Sequence, residues 1–495
     1  MKLRLVGHAY KYAVEQILLQ TMAGERPEFT DTEPAPGEDF AVITLRERAD
    51  SAGAHAELHI GGAVYRGRAE TRRLDPDEGI AREREKQRII KTAFFRAARQ
   101  ASDRELPWGA TTGIRPSTLI TRMTRAGLTP RAAERRLIES YYVSPERAAL
   151  ALDCAEAEKR VRETLGARDV ALYVGIPFCP TRCAYCSFVS HSVERSMVLI
   201  APFLDALKAE AAALAKTLDG TAARIVAVYV GGGTPTTLDA EMLDDLLGAI
   251  AREFDLSGVR EYTVEAGRPD TITAEKLAVL RSHGVGRVSV NPQTFSDEVL
   301  ENIGRKHTCG DTLTAYALAR SAGFEVINMD LIAGLPGDTE AGFRETLERA
   351  IALAPENLTV HTLSLKRGAR VTLEKTPIPG GEAVSHMLTD AFDALGRAGY
   401  APYYLYRQKF TSGGFENTGW AKPGAGSLYN VVMMDEVRSV LALGAGVTKL
   451  VGGAGRIVRV FNPKYPYEYI ERIGDIISGK GDIGEFLKGV DENGV

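Results

Sequence analysis

The sequence is poor in cysteine and contains no long apolar run. Its 495 residues include only 5 cysteines, and two of these, Cys154 and Cys309, stand alone. Such few and unevenly placed cysteines exclude a disulfide framework. No stretch approaches the roughly 18 consecutive apolar residues of a membrane helix, and MKLRLVGHAYKYAVEQ lacks the apolar segment of a signal peptide. We therefore expect a cytoplasmic protein without a membrane span.

The chain also lacks a large excess of charge of one sign. Lys and Arg number 61 against 65 Asp and Glu, so no overall positive field favours bulk binding of nucleic acid. Residues 82–136 are an exception, because they hold 14 Lys or Arg against 5 Asp or Glu. Such a run is either a solvated helical face or a surface for an anionic ligand, either RNA or a polycarboxylate.

A central segment alternates strand and helix patterns six times. Strand-length apolar runs, rich in β-branched residues, lie at 170–176, 224–230, 261–266, 287–292, 325–332 and 357–365. Near-continuous runs of this kind are typical of parallel strands that are buried on both faces. Helical patterns separate them, and several end at Gly or Pro. Six such units predict an open, partial (β/α)6 barrel, two units short of a closed one.

The length predicts more than one domain, and the regular alternation of strand and helix patterns stops on both sides of this segment. Residues 1–165 read as an N-terminal α+β domain, with a hairpin at Gly61-Gly62. Residues 166–370 are the barrel, and 377–495 a small C-terminal α+β domain. In the last domain we expect a helix at 384–398, a strand at 403–410, a helix ending near Leu443 and another helix after PKYPYEYIERIGDII. The predicted fold class is α/β.

Three cysteines lie within eight residues, in IPFCPTRCAYC, directly after the first barrel strand. Thiolates are ligands for soft metals, and Cys179, Cys183 and Cys186 are close enough to reach one centre. With His191 as a fourth ligand they would form a zinc site. On a four-iron cluster, three thiolates would instead leave one iron open, and an open iron makes the cluster a reaction centre.

Further polar and glycine-rich segments follow other barrel strands. The loop GGGTPT at 231–236 allows backbone N–H groups to approach an anionic group, although it matches neither a phosphate-binding loop with Gly-Lys nor a GxGxxG dinucleotide motif. Glu265, Gln293 and Asp330 fall near the ends of the third, fourth and fifth strands. The carboxyl ends of barrel strands form the active-site rim, so one site is predicted there.

These motifs resemble the radical S-adenosylmethionine (SAM) superfamily, through CxxxCxxC with an aromatic residue before the last cysteine, followed by GGGTPT. Within it, YVGIPFC, GGGTPT, VNPQTF, IGRKHT and DLIAGLP resemble, in this order, the oxygen-independent coproporphyrinogen III oxidase family. ENTGWAKPG, SLYN and LGAGV extend that resemblance into the C-terminal part. The Arg-rich N-terminal region with TGIRP resembles the coproporphyrinogen dehydrogenase branch of the HemZ type.

The resemblance implies two cofactors, a [4Fe-4S] cluster and S-adenosyl-L-methionine. It implies that Cys179, Cys183 and Cys186 bind three irons, and that the open iron takes the amino and carboxylate groups of SAM. It further implies contacts to SAM from nine other residues, which are Tyr173, Tyr185, Gly232, Gly233, Thr234, Glu265, Gln293, Arg305 and Asp330.

The implied activity is the oxidative decarboxylation of two propionates of coproporphyrinogen III to vinyl groups, giving protoporphyrinogen IX without oxygen. The implied partners are a porphyrinogen substrate and an electron donor such as flavodoxin or ferredoxin, and no nucleic acid is expected. One alternative is a heme-binding or heme-delivery protein, although YNVVMM at 429–434 replaces the HNxxYW of the heme-chaperone branch. The other is a radical SAM enzyme acting on RNA, suggested by the Arg-rich segment.

Overall fold

The structure is a computed structural model of the chain. It describes residues 1–495 except 23–24, 33–34, 36, 72–78, 103, 105, 114, 187–190, 193–195, 367, 408–413, 454–455 and 494–495. The chain divides into two compact units, residues 1–152 with 413–415, and residues 153–412 with 416–495. Among the helices of the described residues, none combines the length and the apolar character that crossing a bilayer requires.

The first unit is an α+β domain built on a five-stranded sheet. Its strands are β1 (Lys2–Val6), β2 (Glu28–Phe29), β3 (Phe40–Glu47), β4 (Ala52–Ile60) and β5 (Ala63–Thr71). Its helices are α1 (Lys11–Thr21), α2 (Gly79–Gln100), α3 (Ser117–Arg125), α4 (Pro130–Tyr141) and the start of α5 (Pro145–Glu163). The sheet order is β2-β1-β3-β4-β5, with β1 parallel to β2 and β3 and the other pairs antiparallel.

The hairpin predicted between β4 and β5 is confirmed. Gly61 and Gly62 have φ values of 55° and 82°, the left-handed conformation that a two-residue hairpin turn requires. Helix α2 covers the buried face of this hairpin very closely, because a Cβ atom on Gly67 of β5 would lie 2.0 Å from the carbonyl oxygen of Ala93. Glycine at this position therefore allows the helix to contact the strand backbone.

The second unit contains the remaining elements. Its strands are β6 (Asp169–Ile176), β7 (Phe178–Cys179), β8 (His191–Ser192), β9 (Arg224–Gly232), β10 (Glu261–Glu265), β11 (Arg287–Ser289), β12 (Val326–Ala333), β13 (Asn357–Thr362), β14 (Ala401–Arg407), β15 (Glu416–Ala421), β16 (Val440–Gly444), β17 (Val447–Val451) and β18 (Ile457–Phe461). Its helices are α6 (Ile200–Leu218), α7 (Ala240–Glu253), α8 (Ala274–Ser282), α9 (Asp297–Asn302), α10 (Cys309–Ser321), α11 (Glu340–Ala352), α12 (Arg370–Leu373), α13 (Gly381–Arg397), α14 (Leu428–Asp435), α15 (Pro466–Glu471), α16 (Ile473–Ser478) and α17 (Gly481–Asn493).

One eleven-stranded sheet runs through this unit in the order β14-β15-β13-β12-β11-β10-β9-β6-β16-β17-β18. Strands β6 and β9 to β13 are mutually parallel and are the six strands predicted from the sequence. The α/β fold with a partial (β/α)6 barrel is therefore confirmed. Strand β16 adds a seventh parallel strand beside β6, and antiparallel strands flank the row at both ends.

The C-terminal segment differs from the prediction in one element. The helix expected to end near Leu443 ends at Asp435, and Val440–Gly444 is a strand whose five residues are all buried. A short apolar run is compatible with either a helix or a strand. Here the run forms a strand because it pairs with the edge of β6 that β9 leaves open. The described strands of this segment belong to the barrel's sheet. The domain boundaries 1–165, 166–370 and 377–495 remain predictions.

A buried ion pair fastens the C-terminal helices to the barrel. The carboxylate of Glu210 on α6 is fully buried and lies 2.5 Å from the ammonium of Lys480. It also accepts hydrogen bonds from the Gly444 N–H at 2.7 Å, the Asn462 amide at 2.7 Å and the Tyr469 hydroxyl at 2.5 Å. Removal of one partner would leave a buried charge uncompensated.

We predict that Lys480→Met lowers the free energy of unfolding by about 3–5 kcal/mol, because it leaves the Glu210 carboxylate buried without its cation. Lys488→Met, at an exposed position on α17, the helix that follows Lys480, is the matched control and is expected to change stability by less than about 0.5 kcal/mol. Urea denaturation measures both. Equal stabilities of the two variants would contradict the structural role of this ion pair.

Candidate active site

A cavity of about 370 Å³ opens at the carboxyl ends of the parallel strands. It brings together every residue to which the sequence resemblance assigns a role: Tyr173, Cys179, Cys183, Tyr185, Cys186, Gly232, Gly233, Thr234, Glu265, Gln293, Arg305 and Asp330. The solitary cysteines do not line it: Cys154 is buried, and Cys309 begins α10. Six strands and the loops that follow them therefore converge on one site.

The cysteine loop is fixed by backbone hydrogen bonds on two sides of Ala184. The Ala184 N–H donates to the Ile303 carbonyl at 2.9 Å, and the Ala184 carbonyl accepts from the Val371 N–H at 3.1 Å. Within the loop, the Cys186 N–H donates to the Cys183 carbonyl at 3.1 Å. The loop is thus held between two neighbouring segments of the same unit, with its thiols on the cavity.

The sulfur atoms of Cys179 and Cys183 accept hydrogen bonds from side chains. The Thr234 hydroxyl donates to the sulfur of Cys179 at 3.5 Å, and Arg268 Nη1 donates to the sulfur of Cys183 at 3.6 Å. Such donors stabilise the thiolate form in which cysteine binds a metal. The chemistry of this donor set, three soft sulfur ligands on one loop, fits an iron–sulfur cluster.

Arg268 is a residue that sequence reasoning missed. Its side chain is 3% exposed, and its guanidinium makes a two-pronged ion pair with Asp270 at 2.9 and 3.0 Å. Its Nη1 atom also donates to the Thr181 hydroxyl at 3.1 Å. The sequence GRPD contains this arginine, but Arg268 lies 85 residues after Cys183 in the chain. No spacing in the sequence therefore indicates that the two residues are in contact.

The zinc alternative depends on His191, whose side chain lies outside the described residues. Within the described residues, no three Cys, His, Asp or Glu side chains converge on the position of a single metal ion. A four-iron cluster takes one thiolate per iron and is larger than one ion, so its ligands need not converge in this way.

The glycine loop packs against the cysteine loop. The Gly233 N–H donates to the Ile176 carbonyl and the Thr234 N–H to the Phe178 carbonyl, both at 2.7 Å. A Cβ atom on Gly233 would lie 2.5 Å from the Phe178 oxygen. The sequence interpretation, in which these N–H groups approach an anionic ligand, is therefore wrong for Gly233 and Thr234. Their N–H groups join the two loops instead.

Glu265 is one of the carboxyl groups that line the cavity. Its carboxylate accepts hydrogen bonds from the Tyr229 hydroxyl and, at 3.1 Å, from the Gly232 N–H. Burial, together with the nearby Asp330 carboxylate, raises the pKa of Glu265 to about 7, against the opposing effect of the Tyr229 hydrogen bond. This carboxyl group therefore changes its protonation close to neutral pH.

Asp330 remains ionised in the same cavity. Burial would raise its pKa, but the His361 side chain, 3.7 Å away, and the Asn328 amide, at 2.8 Å, hold that pKa below its usual value. His361, at the end of β13, also lines the cavity and was not singled out from the sequence. Two carboxyl groups with opposite pKa shifts thus face one cavity, an arrangement found at functional sites.

Tyr185, Gln293 and Arg305 form a hydrogen-bonded chain that begins beside Asp330, whose backbone carbonyl accepts from the Gln293 N–H at 2.9 Å. The Tyr185 hydroxyl donates to Gln293 Oε1 at 3.1 Å and accepts from Arg305 Nη2 at 3.3 Å. Arg305 Nη1 donates to the Asn291 carbonyl at 2.7 Å. Gln293 has a φ of 69°, which is a strained backbone conformation for glutamine. Strained conformations of this kind are most frequent at functional sites.

The C-terminal segment supplies a further wall, which the sequence analysis did not predict. Tyr429 of α14 stacks on Tyr229 with ring centroids 4.3 Å apart, and Tyr173 lies 6.1 Å from Tyr429. Tyr429 thus packs behind two cavity-lining tyrosines, and the residues of this segment that line the cavity are Tyr404, Tyr406, Asn417, Asn430 and Met434. The motif SLYN therefore begins a helix that carries cavity-lining side chains.

We predict that the stability difference between the wild-type protein and Glu265→Gln depends on pH. The folded protein holds a proton on Glu265 up to about pH 7, whereas an ordinary Glu loses it near pH 4.5, so wild-type stability falls relative to the variant as pH rises through that window. The expected fall is on the order of 1–3 kcal/mol. Urea denaturation from pH 4.5 to 8 measures it, with the exposed Glu275→Gln as control. A pH-independent difference would contradict the raised pKa.

Comparisons with known proteins agree with this geometry. Residues 173–350 match the family model of the radical SAM superfamily. The chain is 41% identical over 372 residues to the oxygen-independent coproporphyrinogen-III oxidase-like protein HemZ of Bacillus subtilis, covering 74% of each chain. It is 32% identical over 315 residues to the heme chaperone HemW of the same organism, covering 62% of this chain and 76% of that protein.

A solved structure shares the fold. Coproporphyrinogen III oxidase HemN from Escherichia coli, described as a radical SAM enzyme, superimposes with a TM-score of 0.51 at 22% identity over 65% of this chain and 72% of that chain. At this identity the likeness concerns the fold alone. The sequence match to HemZ extends well beyond the residues of the superfamily model, and the chain accordingly belongs to the radical SAM superfamily and, within it, to the HemZ-like family of oxygen-independent coproporphyrinogen-III oxidase-like proteins.

Proposed function

We propose that this protein is an oxygen-independent coproporphyrinogen III dehydrogenase, which converts two propionate side chains of coproporphyrinogen III to vinyl groups and yields protoporphyrinogen IX. The observation that carries the proposal is the single cavity that combines the three cysteines, the glycine loop and the polar strand ends. We propose that Cys179, Cys183 and Cys186 hold the [4Fe-4S] cluster. The relative named as a coproporphyrinogen-III oxidase-like protein supports the substrate class.

When bound, the cluster and SAM together supply the abstraction of a hydrogen atom from the substrate. The chain's own residues bind and orient these groups. Thr234 and Arg268 donate hydrogen bonds to two of the ligand sulfurs. We assign the remaining polar rim to SAM: Asp330, which stays ionised, accepts hydrogen bonds from its hydroxyl groups, and Glu265 accepts from its amino group when deprotonated.

The substrate side of the cavity is assigned to the tyrosine-rich wall. Tyr404 and Tyr406 offer large apolar faces for the tetrapyrrole, and they exclude water from the reacting carbon. The Arg305 guanidinium, which also lines this cavity, suits a substrate propionate. The reducing electron is assigned to a small donor protein such as flavodoxin or ferredoxin.

The test is anaerobic incubation of the reconstituted protein with SAM, a reductant and coproporphyrinogen III, followed by chromatographic analysis of the products. We expect 5′-deoxyadenosine together with protoporphyrinogen IX, and the loss of both in Cys183→Ala. Formation of 5′-deoxyadenosine without any vinyl product would contradict the substrate assignment, while the radical SAM assignment would stand.

A heme-delivery protein is the second candidate, favoured by the match to the heme chaperone HemW. The C-terminal helix α14 carries YNVV, and the segment 429–434 contains no histidine that would bind heme iron. Titration of the purified protein with heme, followed by absorption spectroscopy, separates the candidates. Stoichiometric heme binding without porphyrinogen turnover would favour delivery over oxidation.

We predict that Cys179→Ala, Cys183→Ala and Cys186→Ala each abolish the 4Fe–4S absorption and lower the iron content to background. All three thiols line the cavity, and a cluster held by only two of them is not retained. Cys154→Ala and Cys309→Ala, whose sulfurs lie elsewhere, are the matched controls and are expected to keep wild-type iron. Equal loss of iron in Cys309→Ala would overturn the assignment of the ligands.

We predict that Arg268→Met lowers the reduction potential of the reconstituted cluster by tens of millivolts, because it removes a buried positive charge beside Cys183. Arg268→Lys keeps the charge and is expected to cause a smaller decrease. Redox titration followed by electron paramagnetic resonance gives both values. An unchanged potential in Arg268→Met at full iron content would show that Arg268 only supports the loop.

A further inference from the structure

A basic surface in the first unit is not used by the proposed function. Residues 1–152 carry 25 Lys or Arg against 21 Asp or Glu, although the whole chain has an excess of acidic residues. The cations are concentrated on α2 and on the elements that surround it. Charge asymmetry of this kind within one chain points to an anionic partner of the basic part.

The most developed part of this surface is an open cavity of about 460 Å³, called here the basic groove. It is lined by Gly67, Phe95, Gln100, Tyr142 and four arginines, Arg66, Arg68, Arg96 and Arg99. The acidic partner within the described residues is Glu57, which pairs with Arg66 at 3.0 Å. The side chains of Arg68 and Arg99 form no hydrogen bond or ion pair with any described residue.

The groove is a built structure rather than a set of loose surface arginines. Arg96 donates hydrogen bonds to the Tyr142 hydroxyl and to the Arg68 carbonyl, and Gln100 donates to the Arg66 carbonyl at 2.8 Å. These contacts join α2 to the free edge of β5. Tyr142 has a φ of 59°, an uncommon conformation for a bulky residue. The arginines are therefore presented on a fixed frame.

Further basic residues lie along α2 beyond the groove, where the Arg88 guanidinium pairs with the Glu85 carboxylate at 2.6 Å. Lys91 donates to the Thr112 hydroxyl at 3.2 Å, and burial together with the neighbouring Arg122 and Arg88 lowers its pKa to about 8. The Arg88 guanidinium lies 6.0 Å from the Tyr141 ring centroid, and that of Arg96 lies 5.3 Å from the Tyr142 ring centroid. Tyr141 and Tyr142, which are adjacent in the chain, thus each lie beside an arginine of α2.

The distribution of these cations indicates the shape of the ligand. From Lys91 to Arg99 the helix rises by about 12 Å, and Arg66 and Arg68 follow a separate line along β5 with a spacing of about 7 Å. These basic side chains lie along two lines. Cations that bind a compact anion would instead converge on one point. Rows of cations with interspersed aromatic side chains suit a phosphodiester backbone.

We propose that the basic groove and the adjoining face of α2 bind single-stranded nucleic acid, with Arg68 and Arg99 contacting phosphates. The binding is independent of sequence, because the groove offers guanidinium groups and few side chains able to read base edges. This inference does not rest on the porphyrinogen reaction. It concerns a different unit of the chain and a different class of ligand.

The test uses the full-length protein and a fluorescein-labelled oligouridylate of about 12 nucleotides, with binding followed by fluorescence anisotropy. We expect binding that weakens steeply between about 50 and 200 mM potassium chloride. The double variant Arg68→Gln/Arg99→Gln is expected to lower the affinity at least about tenfold and to reduce the slope of log affinity against log salt by about 1.4, since two phosphate contacts are lost.

The control variant is Arg252→Gln/Arg397→Gln, which removes two exposed arginines from helices α7 and α13 of the other unit. It has the same net charge as the test variant and is expected to bind like the wild-type protein. Thermal melting and SAM cleavage, expected to be unchanged in both variants, verify that the proteins are folded. Equal loss of binding in the two variants would show a non-specific charge effect and overturn the proposal.

Competitors identify the source of the anion. Tripolyphosphate and the tetracarboxylate coproporphyrin III are expected to displace the oligonucleotide only at concentrations far above its dissociation constant. If either displaces it with comparable or higher affinity, the groove is a site for a compact anion and the proposal is wrong. Absence of oligonucleotide binding at low salt would also overturn it.

Discussion

The pairing of β6 with β9 continues beyond the ends of both strands, and the candidate site depends on this continuation. After the strands end, Gly233 and Thr234 still donate backbone hydrogen bonds to Ile176 and Phe178. The cysteine loop and the glycine loop therefore extend the backbone hydrogen-bond ladder between β6 and β9. Cys179, which we propose as a cluster ligand, and the donor of its hydrogen bond, Thr234, lie on opposite strands of that extension. The backbone hydrogen bonds between the two loops thus fix the position of the Cys179 sulfur.

Sequence alone predicted the six parallel strands and the shared rim, because buried strands read as continuous apolar runs and their polar ends stand out against them. The twelve residues that the family resemblance named line one cavity, while their individual roles remain predictions. Sequence reasoning missed Arg268 and His361, whose contacts to Cys183 and Asp330 depend on the neighbouring loops of the barrel. It misread Val440–Gly444, since only the free edge of β6 distinguishes that strand from a helix.

The two carboxyl groups of the cavity illustrate how one fold gives like residues different properties. Both are enclosed by the same barrel, and both lie at strand ends. Asp330 is hydrogen-bonded by His361 and Asn328, whereas burial and the neighbouring Asp330 charge outweigh the groups that lower the pKa of Glu265. Their protonation states therefore differ near neutral pH. The cavity thus offers the proposed ligand SAM one carboxylate that stays ionised and one that changes its protonation near neutral pH.

Strand β16 gives the molecule an unusual order of assembly. Val440 pairs with Ala171, so the first strand of the barrel receives its outer neighbour from a segment 269 residues later in the chain. During synthesis on the ribosome, β6 and β9 emerge long before β16 and carry an open, apolar sheet edge until the last part of the chain appears. Exposed edges of this kind pair readily with other chains. A nascent chain of this protein is therefore most vulnerable to aggregation in the interval before its C-terminal residues are made, and a truncation before Val440 prolongs that interval indefinitely.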